Sequence, residues 1–410
     1  MSHIDDLIRQ LSPSGVEFKE LGAVGELVRG NGMPKTDFTE SGVGAIHYGQ
    51  IYTYYGTWTT GTISFVAPET AVRLAKVDPG DVIITNTSEN LEDVGKAVAW
   101  LGDGQIVTGG HATVLKHDQD PKFVAYWLQS PGFQIQKKKY ATGTKVIDVS
   151  AKSLAKIRIP VPPVEVQREI VHVLDSLSAL EAELEAELEA ELEARRRQYA
   201  YYREDLLTSA DGGMSSWVPL GELASFQYGF TASAQESGEY RFLRITDINQ
   251  LGKLSPEGAK YVDISDAALG YVVKQGDLLM ARTGATYGKT MLVDSDEPAV
   301  YASFLIRIRF NDSAVLPAYY WHFAQSSIYW AQANAMVSTG GQPQFNANVL
   351  KLVKVPVPPI EEQERIVGIL DRLHALVNDL SSDLPAERNA RRTQYEYYRD
   401  KLLTFEKAGA

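Results

Sequence analysis

The chain has 410 residues, no cysteine, 40 Lys and Arg against 52 Asp and Glu, and 44% hydrophobic residues. That length predicts two or three domains, each able to bury its own core, and the lack of cysteine excludes a disulfide scaffold, thiolate metal sites and cysteine nucleophiles. A formal net charge of −12 argues against a protein that binds nucleic acid through bulk charge, although the distribution of charge counts for more than its sum.

From the N-terminus, Met1-Ser2-His3-Ile4-Asp5-Asp6 lacks the basic-then-apolar order of a signal peptide. No apolar run approaches the roughly 20 residues that span a bilayer, so a cytoplasmic chain without membrane contact is expected. Residues 1–159 then carry short β-branched and aromatic runs punctuated by glycine, such as Gly61-Thr62-Ile63-Ser64-Phe65-Val66 and Val82-Ile83-Ile84-Thr85, which read as strands. Phe123-Val124-Ala125-Tyr126-Trp127-Leu128 reads as a helix packed beside them.

Residues 160–212 change period. Leu177, Leu180, Leu184, Leu188 and Leu192 recur every three or four residues, with no glycine between Pro163 and Gly212, which is helical spacing. Pro162 and Pro163 sit where a helix can begin, and Glu165 falls in the first turn, where the helix dipole favours an acid. A helix from about Val164 to Leu207 is about 65 Å long, too long for the core of a small domain, so it requires a partner. Residues 213–355 return to short strands, as in Phe304-Leu305-Ile306-Arg307-Ile308, with Tyr319-Tyr320-Trp321-His322-Phe323 as a helix. Residues 356–410 form a second long helix, in which Pro385 predicts a kink or a restart.

The chain is written twice. Pro160-Val161-Pro162-Pro163 recurs 196 residues later as Pro356-Val357-Pro358-Pro359, and 28 of the 49 positions from Pro160 to Thr208 are identical to their partners. These include Gln167 with Gln363, Leu174-Asp175 with Leu370-Asp371, and Tyr201-Tyr202-Arg203 with Tyr397-Tyr398-Arg399. Fainter matches precede each copy: Leu21-Gly22 with Leu220-Gly221, Gly80-Asp81 with Gly276-Asp277, and Gly95-Lys96 with Gly288-Lys289. An internal repeat of this kind outweighs any local motif. The expected fold is α+β: two similar mixed α/β domains separated by two long antiparallel helices in a coiled coil, related by a pseudo-twofold axis. The expected boundaries are 1–159, 160–212, 213–355 and 356–410.

Residues 160–212 hold 5 basic and 13 acidic residues, chiefly in the repeated Glu-Ala-Glu-Leu tetrads, whereas residues 1–159 and 213–355 each have a net charge of −1. A helix this acidic is repelled by phosphates and suits a rod; a nearly neutral domain can still bind DNA through local patches. Lys137-Lys138-Lys139-Tyr140 is the densest basic run of the first domain. Arg282-Thr283-Gly284-Ala285-Thr286-Tyr287-Gly288-Lys289-Thr290 superficially resembles a phosphate-binding loop but lacks the first glycine, and its flanks read as strand-loop-strand. The Pro-Pro pairs do not form the amino-methyltransferase signature, no serine elbow occurs, and the seven His have no helical zinc spacing. His111, after Gly109-Gly110, reads as exposed or structural.

Two dissimilar domains, each followed by Pro-x-Pro-Pro-(Val/Ile)-Glu-x-Gln, a Leu-rich helix and Arg-Arg-x-Gln-Tyr-x-Tyr-Tyr-Arg, resemble the specificity subunit of Type I DNA restriction–modification systems over essentially the whole chain. The resemblance implies a non-enzymatic subunit with no cofactor of its own. Two target-recognition domains would each read one half of a split, asymmetric site in double-stranded DNA. The two helices, conserved in that family, would hold the domains apart and dock two adenine-N6 methyltransferase subunits that use S-adenosylmethionine. Two ATP- and Mg-dependent translocase/nuclease subunits would complete the restricting complex. The alternative class is a structural or interaction protein presenting two ligand-binding domains on a coiled-coil rod.

Because recognition domains vary within that family, no reader residue carries over from it, and the candidates rest on chemistry. In the first domain they are the polar-aromatic loop Tyr54, Tyr55, Thr57, Trp58 and Thr59, with Lys137, Thr144 and Lys145. In the second they are Arg282, Thr286, Tyr287 and Lys289, with Gln342, Gln344 and Asn346. Arg and Lys suit phosphates or guanine, and Gln and Asn can pair bidentately with adenine.

Overall fold

The alternation of short apolar runs and glycine turns becomes sheet in the computed structural model, which describes residues 2–209, 216–249, 251–311, 314–338 and 343–408. Contacts divide the chain into two units, Met1–Ala186 with Ala386–Ala410, and Glu187–Pro385. Each unit therefore contains one variable segment and parts of both long helices.

In the first unit a five-stranded sheet runs in the order Gly25–Arg29, Ala112–His117, Val82–Thr85, Ala97–Trp100, Trp58–Thr59. Val82–Thr85 is buried along its whole length, which is why it reads as an unbroken apolar run rather than an alternation. A second five-stranded sheet is centred on Val43–Ile46 between Ser64–Val66 and Ile106–Thr108. Helices Pro121–Trp127 and Pro131–Lys138 bury Phe123, Val124, Trp127 and Phe133 in the same core as Val82 and Ile84. An antiparallel ribbon, Glu17–Glu20 with Arg158–Val161, closes the domain immediately before the long helix.

The second unit repeats this plan with fewer strands among the described residues. Its larger sheet runs Ala224–Tyr228, Leu305–Phe310, Leu278–Ala281, Thr290–Leu292, and the ribbon Ser216–Pro219 with Lys354–Val357 closes it. The faint Gly-Asp match now has a cause. Gly80 and Gly276 hold φ of +98° and +88°, a region that glycine enters without penalty, and the following Asp81 and Asp277 carboxylates accept from the backbone N–H of Asp78 and Lys274. The motif is a turn entering a buried strand.

The long helices span Val164–Ser209 and Ile360–Leu402. The second runs through Pro385 without restarting. Proline removes one backbone hydrogen bond, and packing fixes the helix on either side: Leu370 and Val377 lie in the core of the second unit, Leu402 in that of the first. The leucine stripe of the first helix is unevenly covered, with Leu192 buried and Leu180 62% exposed. Among the described residues no helix is long and apolar enough to cross a membrane.

Within the first unit the two helices touch at Glu185 with Arg388 and at Ser178 with Tyr395; within the second, Tyr199 packs against His374, the rings tilted by 57° with centroids 5.5 Å apart. In the first unit the residue numbers of both pairs add to 573, so the two segments there run antiparallel. Tyr199 and His374 are also the repeat partners of Tyr395 and Ser178, so the same contact is made twice.

The repeated glutamine ties each helix to its domain. Gln167, 1% exposed, accepts from the Asp120 N–H at 3.0 Å and donates to Pro162 O and Gln119 Oε1, each at 2.8 Å. Gln363, fully buried, accepts from the Leu316 N–H at 2.9 Å and donates to Ala314 O at 2.8 Å and Pro358 O at 2.9 Å. A second duplicated contact lies two turns on. Asp175 accepts from the Tyr126 hydroxyl at 2.8 Å, and Asp371 pairs with His322 Nε2 at 2.8 Å.

His374, 5% exposed and with no hydrogen-bond partner for either ring nitrogen among the described residues, sits near His322, Lys253, Asp371 and Arg203. Burial first, then the neighbouring positive charges, hold its imidazole down to about 4. An unfolded imidazole takes its proton near about 6.5, so between these pH values the unfolded chain binds one more proton and stability falls as pH falls. We expect the second unit to lose about 3 kcal/mol between pH 6.5 and 4 through this residue. Urea titrations of the wild type and of His374→Leu should diverge across that window; parallel curves would remove His374 from the account.

Candidate nucleic-acid interface

In the second domain the chain leaves the buried strand Leu278–Ala281, makes a short 3-10 turn at Gly284–Thr286, and enters the antiparallel strand Thr290–Leu292. No helix follows the loop, so no helix N-terminus is available for a phosphate, as the flanking residues predict. Four candidates, Arg282, Tyr287, Lys289 and Gln344, come together here. Gln344 Nε2 donates to the Thr283 hydroxyl at 3.2 Å, and the Phe345 N–H donates to Arg282 O at 2.8 Å. The Tyr287 hydroxyl donates to Asn334 Oδ1 at 2.8 Å while its ring meets Trp330 and Phe345 edge-on or tilted. Lys289 is half-buried and makes no ion pair among the described residues.

Arg282 is held most closely. Its backbone N–H donates to Phe304 O at 3.0 Å, its Nε donates to Ser303 O at 3.0 Å, and its guanidinium lies over the rings of Tyr228 and Phe304 at 5.4 and 5.5 Å. Both rings are substantially exposed, at 43% and 50%.

Two further candidates of this domain need correction. The Thr286 hydroxyl is buried and has no partner among the described residues, so it does not face a base edge. Asn346 caps the helix Ala347–Leu350, its Oδ1 accepting from the Asn348 and Val349 N–H; the oxygen that bidentate adenine pairing requires is therefore engaged. Gln342 lies outside the described residues.

The first-domain candidates are dispersed. Tyr54 is 63% exposed, but Tyr55 is buried and its hydroxyl accepts from the Ile63 N–H at 3.0 Å, a core role rather than a DNA contact. Thr57 accepts from Gln129 Nε2 at 3.0 Å, and the partly exposed Trp58 ring carries the Lys122 ammonium at 3.9 Å. Thr59 bonds the backbone of Gly61. Thr144 and Lys145 lie exposed in a separate turn.

Lys137 is a clear correction. It is fully buried, donates to the carbonyls of Glu92 and Val94 at 3.1 and 2.7 Å, and burial pushes its ammonium down to about 8. Phe133 and Lys137 are four residues apart, on one helix face, and that face turns inward. The basic run is therefore split, with Lys138 and Lys139 exposed.

Sequence reading missed Tyr228 and Phe304, which no motif links to Arg282. It also missed a groove of about 340 Å³ in the first domain, bordered by Tyr48, Tyr52, Thr87, Asn90, Asp93 and Val146. His111 stands beside it, exposed, its Nδ1 3.0 Å from the Thr87 hydroxyl and its ring 4.8 Å from that of Tyr48.

The family model for the Type I restriction modification DNA specificity domain matches twice, over residues 13–194 and 215–388. The chain belongs to this family. Each match on this specificity chain takes in one variable domain and the first part of the long helix that follows it. A Haemophilus influenzae protein assigned as a type I restriction enzyme specificity subunit, S.HindORF215P, is 32% identical over 79% of this chain and 82% of its own length. The Escherichia coli type I restriction enzyme EcoR124I/EcoR124II specificity subunit is 31% identical over 70% of this chain and 71% of its own. In fold, the HsdS subunit from Thermoanaerobacter tengcongensis aligns over 95% of this specificity chain and 97% of its own, with TM-score 0.60 and 18% identity. A chain from work on complex assembly and conformational transition of the type I R-M system aligns equally broadly, with TM-score 0.63 and 18% identity.

Proposed function

We propose that this chain is the non-catalytic DNA-reading subunit of a Type I restriction–modification complex. Residues 1–159 and 213–355 each read one half of a split, asymmetric site, and the helical segments 160–212 and 356–410 set the unspecified spacer between the halves. The carrying observation is that scaffold contacts are duplicated while surfaces are not. The Gln167 and Gln363 anchors and the Ser178–Tyr395 and His374–Tyr199 contacts repeat one for one. The loops around Asn86 and Arg282, on equivalent strands, carry different side chains. That pattern fits two readers of different sequences on one frame. It also supports pairing of the helices as an antiparallel coiled coil with pseudo-twofold symmetry.

Chemistry then belongs to partners: two adenine-N6 methyltransferase subunits using S-adenosylmethionine, docked on the helices, and two ATP- and Mg-dependent translocase/nuclease subunits. The test is single-molecule sequencing of DNA from cells expressing this chain together with a cognate adenine methyltransferase subunit. Methylated adenines in a split motif, lost when this chain is deleted, are expected. Methylation that persists without the chain, or a contiguous motif, would overturn the reading. A coiled-coil interaction protein of another class would leave the methylation pattern untouched.

A further inference from the structure

We propose that Arg282 reads a guanine in the half-site of the second domain, through its two terminal guanidinium nitrogens and the N7 and O6 of the base. This rests on the proposed DNA-reading function and names one of its specificity-determining residues.

The argument begins with how the domain treats its other arginines. Arg241 meets Glu297 at 3.3 Å, Arg244 meets Asp247 at 2.7 Å, and Arg307 and Arg309 share Asp277 at 3.6 and 3.0 Å. Each is neutralised by a carboxylate. Arg282 has no carboxylate, and Nη1 and Nη2 have no partner among the described residues; only Nε is engaged, with Ser303 O. Its charge is held instead between two aromatic faces, and Tyr228 is itself fixed by the Ala347 N–H, which donates to its hydroxyl at 3.1 Å.

This is an oriented donor pair. The two ring contacts and the Nε bond to Ser303 O restrain the guanidinium, so part of the ordering that binding ordinarily requires of a flexible arginine is already in place. A parallel pair of N–H donors matches the two acceptors that guanine alone displays on its major-groove edge. A phosphate contact needs charge but no such alignment, and the exposed Tyr228 and Phe304 rings beside it suit base edges better than a hydrated backbone.

The first domain provides the comparison. Asn86 occupies the same backbone station, its N–H donating to His111 O at 2.8 Å and its carbonyl accepting from the Val149 N–H at 2.8 Å, as Arg282 does with Phe304 and Phe345. There the side chain is buried and bonded internally, Nδ2 donating to Val149 O and Oδ1 accepting from Thr113. The frame is kept and the side chain it presents is changed, as expected at a position that differs in what it reads.

The experiment selects from a library of duplexes randomised across the site, using the full-length wild-type chain and the Arg282→Ala and Arg282→Lys variants. The wild type should enrich a split motif containing a guanine, and both variants should lose preference for that one guanine by about 10- to 100-fold while keeping every other base. Replacing that guanine by 7-deazaguanine should weaken wild-type binding about tenfold and Arg282→Ala binding hardly at all; its wild-type arm does not depend on how a variant folds. A variant that retains the wild-type motif, or loses affinity equally for every sequence, overturns guanine reading and leaves the proposed function standing. Wild-type binding indifferent to the 7-deaza substitution at every guanine overturns it as well. If the wild type enriches no motif at all, both readings fail together.

Discussion

Gln167→Leu is expected to release the first recognition domain from the start of its long helix, with a loss of about 3 kcal/mol or more. The side chain is 1% exposed and satisfies the Asp120 N–H, the Pro162 carbonyl and the Gln119 amide oxygen at once. Leucine matches its bulk but bonds to none of them, and each polar group left buried and unpaired costs about 1–3 kcal/mol. Hydrogen exchange provides the measurement. The Asp120 amide should lose most protection, followed by the helix Pro121–Trp127 that it begins, while the second unit is unchanged. Gln363→Leu should do the same at Leu316 and leave the first unit alone. Unaltered protection in either variant would show that the repeated glutamine is not the anchor.

Inserting one more Glu-Ala-Glu-Leu tetrad into the proximal helix is expected to lengthen the unspecified spacer by one or two base pairs and leave both half-sites unchanged. Four residues add about 6 Å of helix and rotate it by about 40°, against about 3.4 Å for each base pair. The contacts refine the design. Ser178 to Tyr199 and His374 to Tyr395 are intervals of 21 residues each. A tetrad added to one helix leaves 25 against 21, whereas a second four-residue insertion near Pro385 restores equality. The paired insertion should therefore give the longer spacer with the higher melting temperature of the two variants. Methylome sequencing and thermal melts of both would decide it; an unchanged spacer in the paired variant would end the idea of a ruler.

Much of the scaffold was legible in advance because it depends on period and repetition. The 3.6-residue recurrence of Leu177 to Leu192 marked a helix, and Val164–Ser209 is that helix. The strands at Val82–Thr85 and Leu305–Phe310 and the helices at Pro121–Trp127 and Pro317–Phe323 followed from local composition. Pro385 was the local exception: by itself the residue favoured a kink or a restart, and the helix does not restart there.

The reading surface was less legible because charge and aromaticity do not reveal direction. Lys137 and Lys138 are adjacent in sequence, yet one is fully buried and the other exposed. Tyr54 and Tyr55 divide in the same way. Asn346 has the right amide for adenine but is committed to a helix cap.

By itself, the sequence determined that the chain is a duplicated frame with two long helices and two differing inserts, since those properties are written in spacing along one dimension. Tertiary structure decided which polar groups remain free. Pairing of Ala224–Tyr228 with Leu305–Phe310, and of the latter with Leu278–Ala281, brings Tyr228, Phe304 and Arg282 together from three places in the chain. A hydrogen-bonding group left over for a ligand can be identified only once every internal partner has been placed.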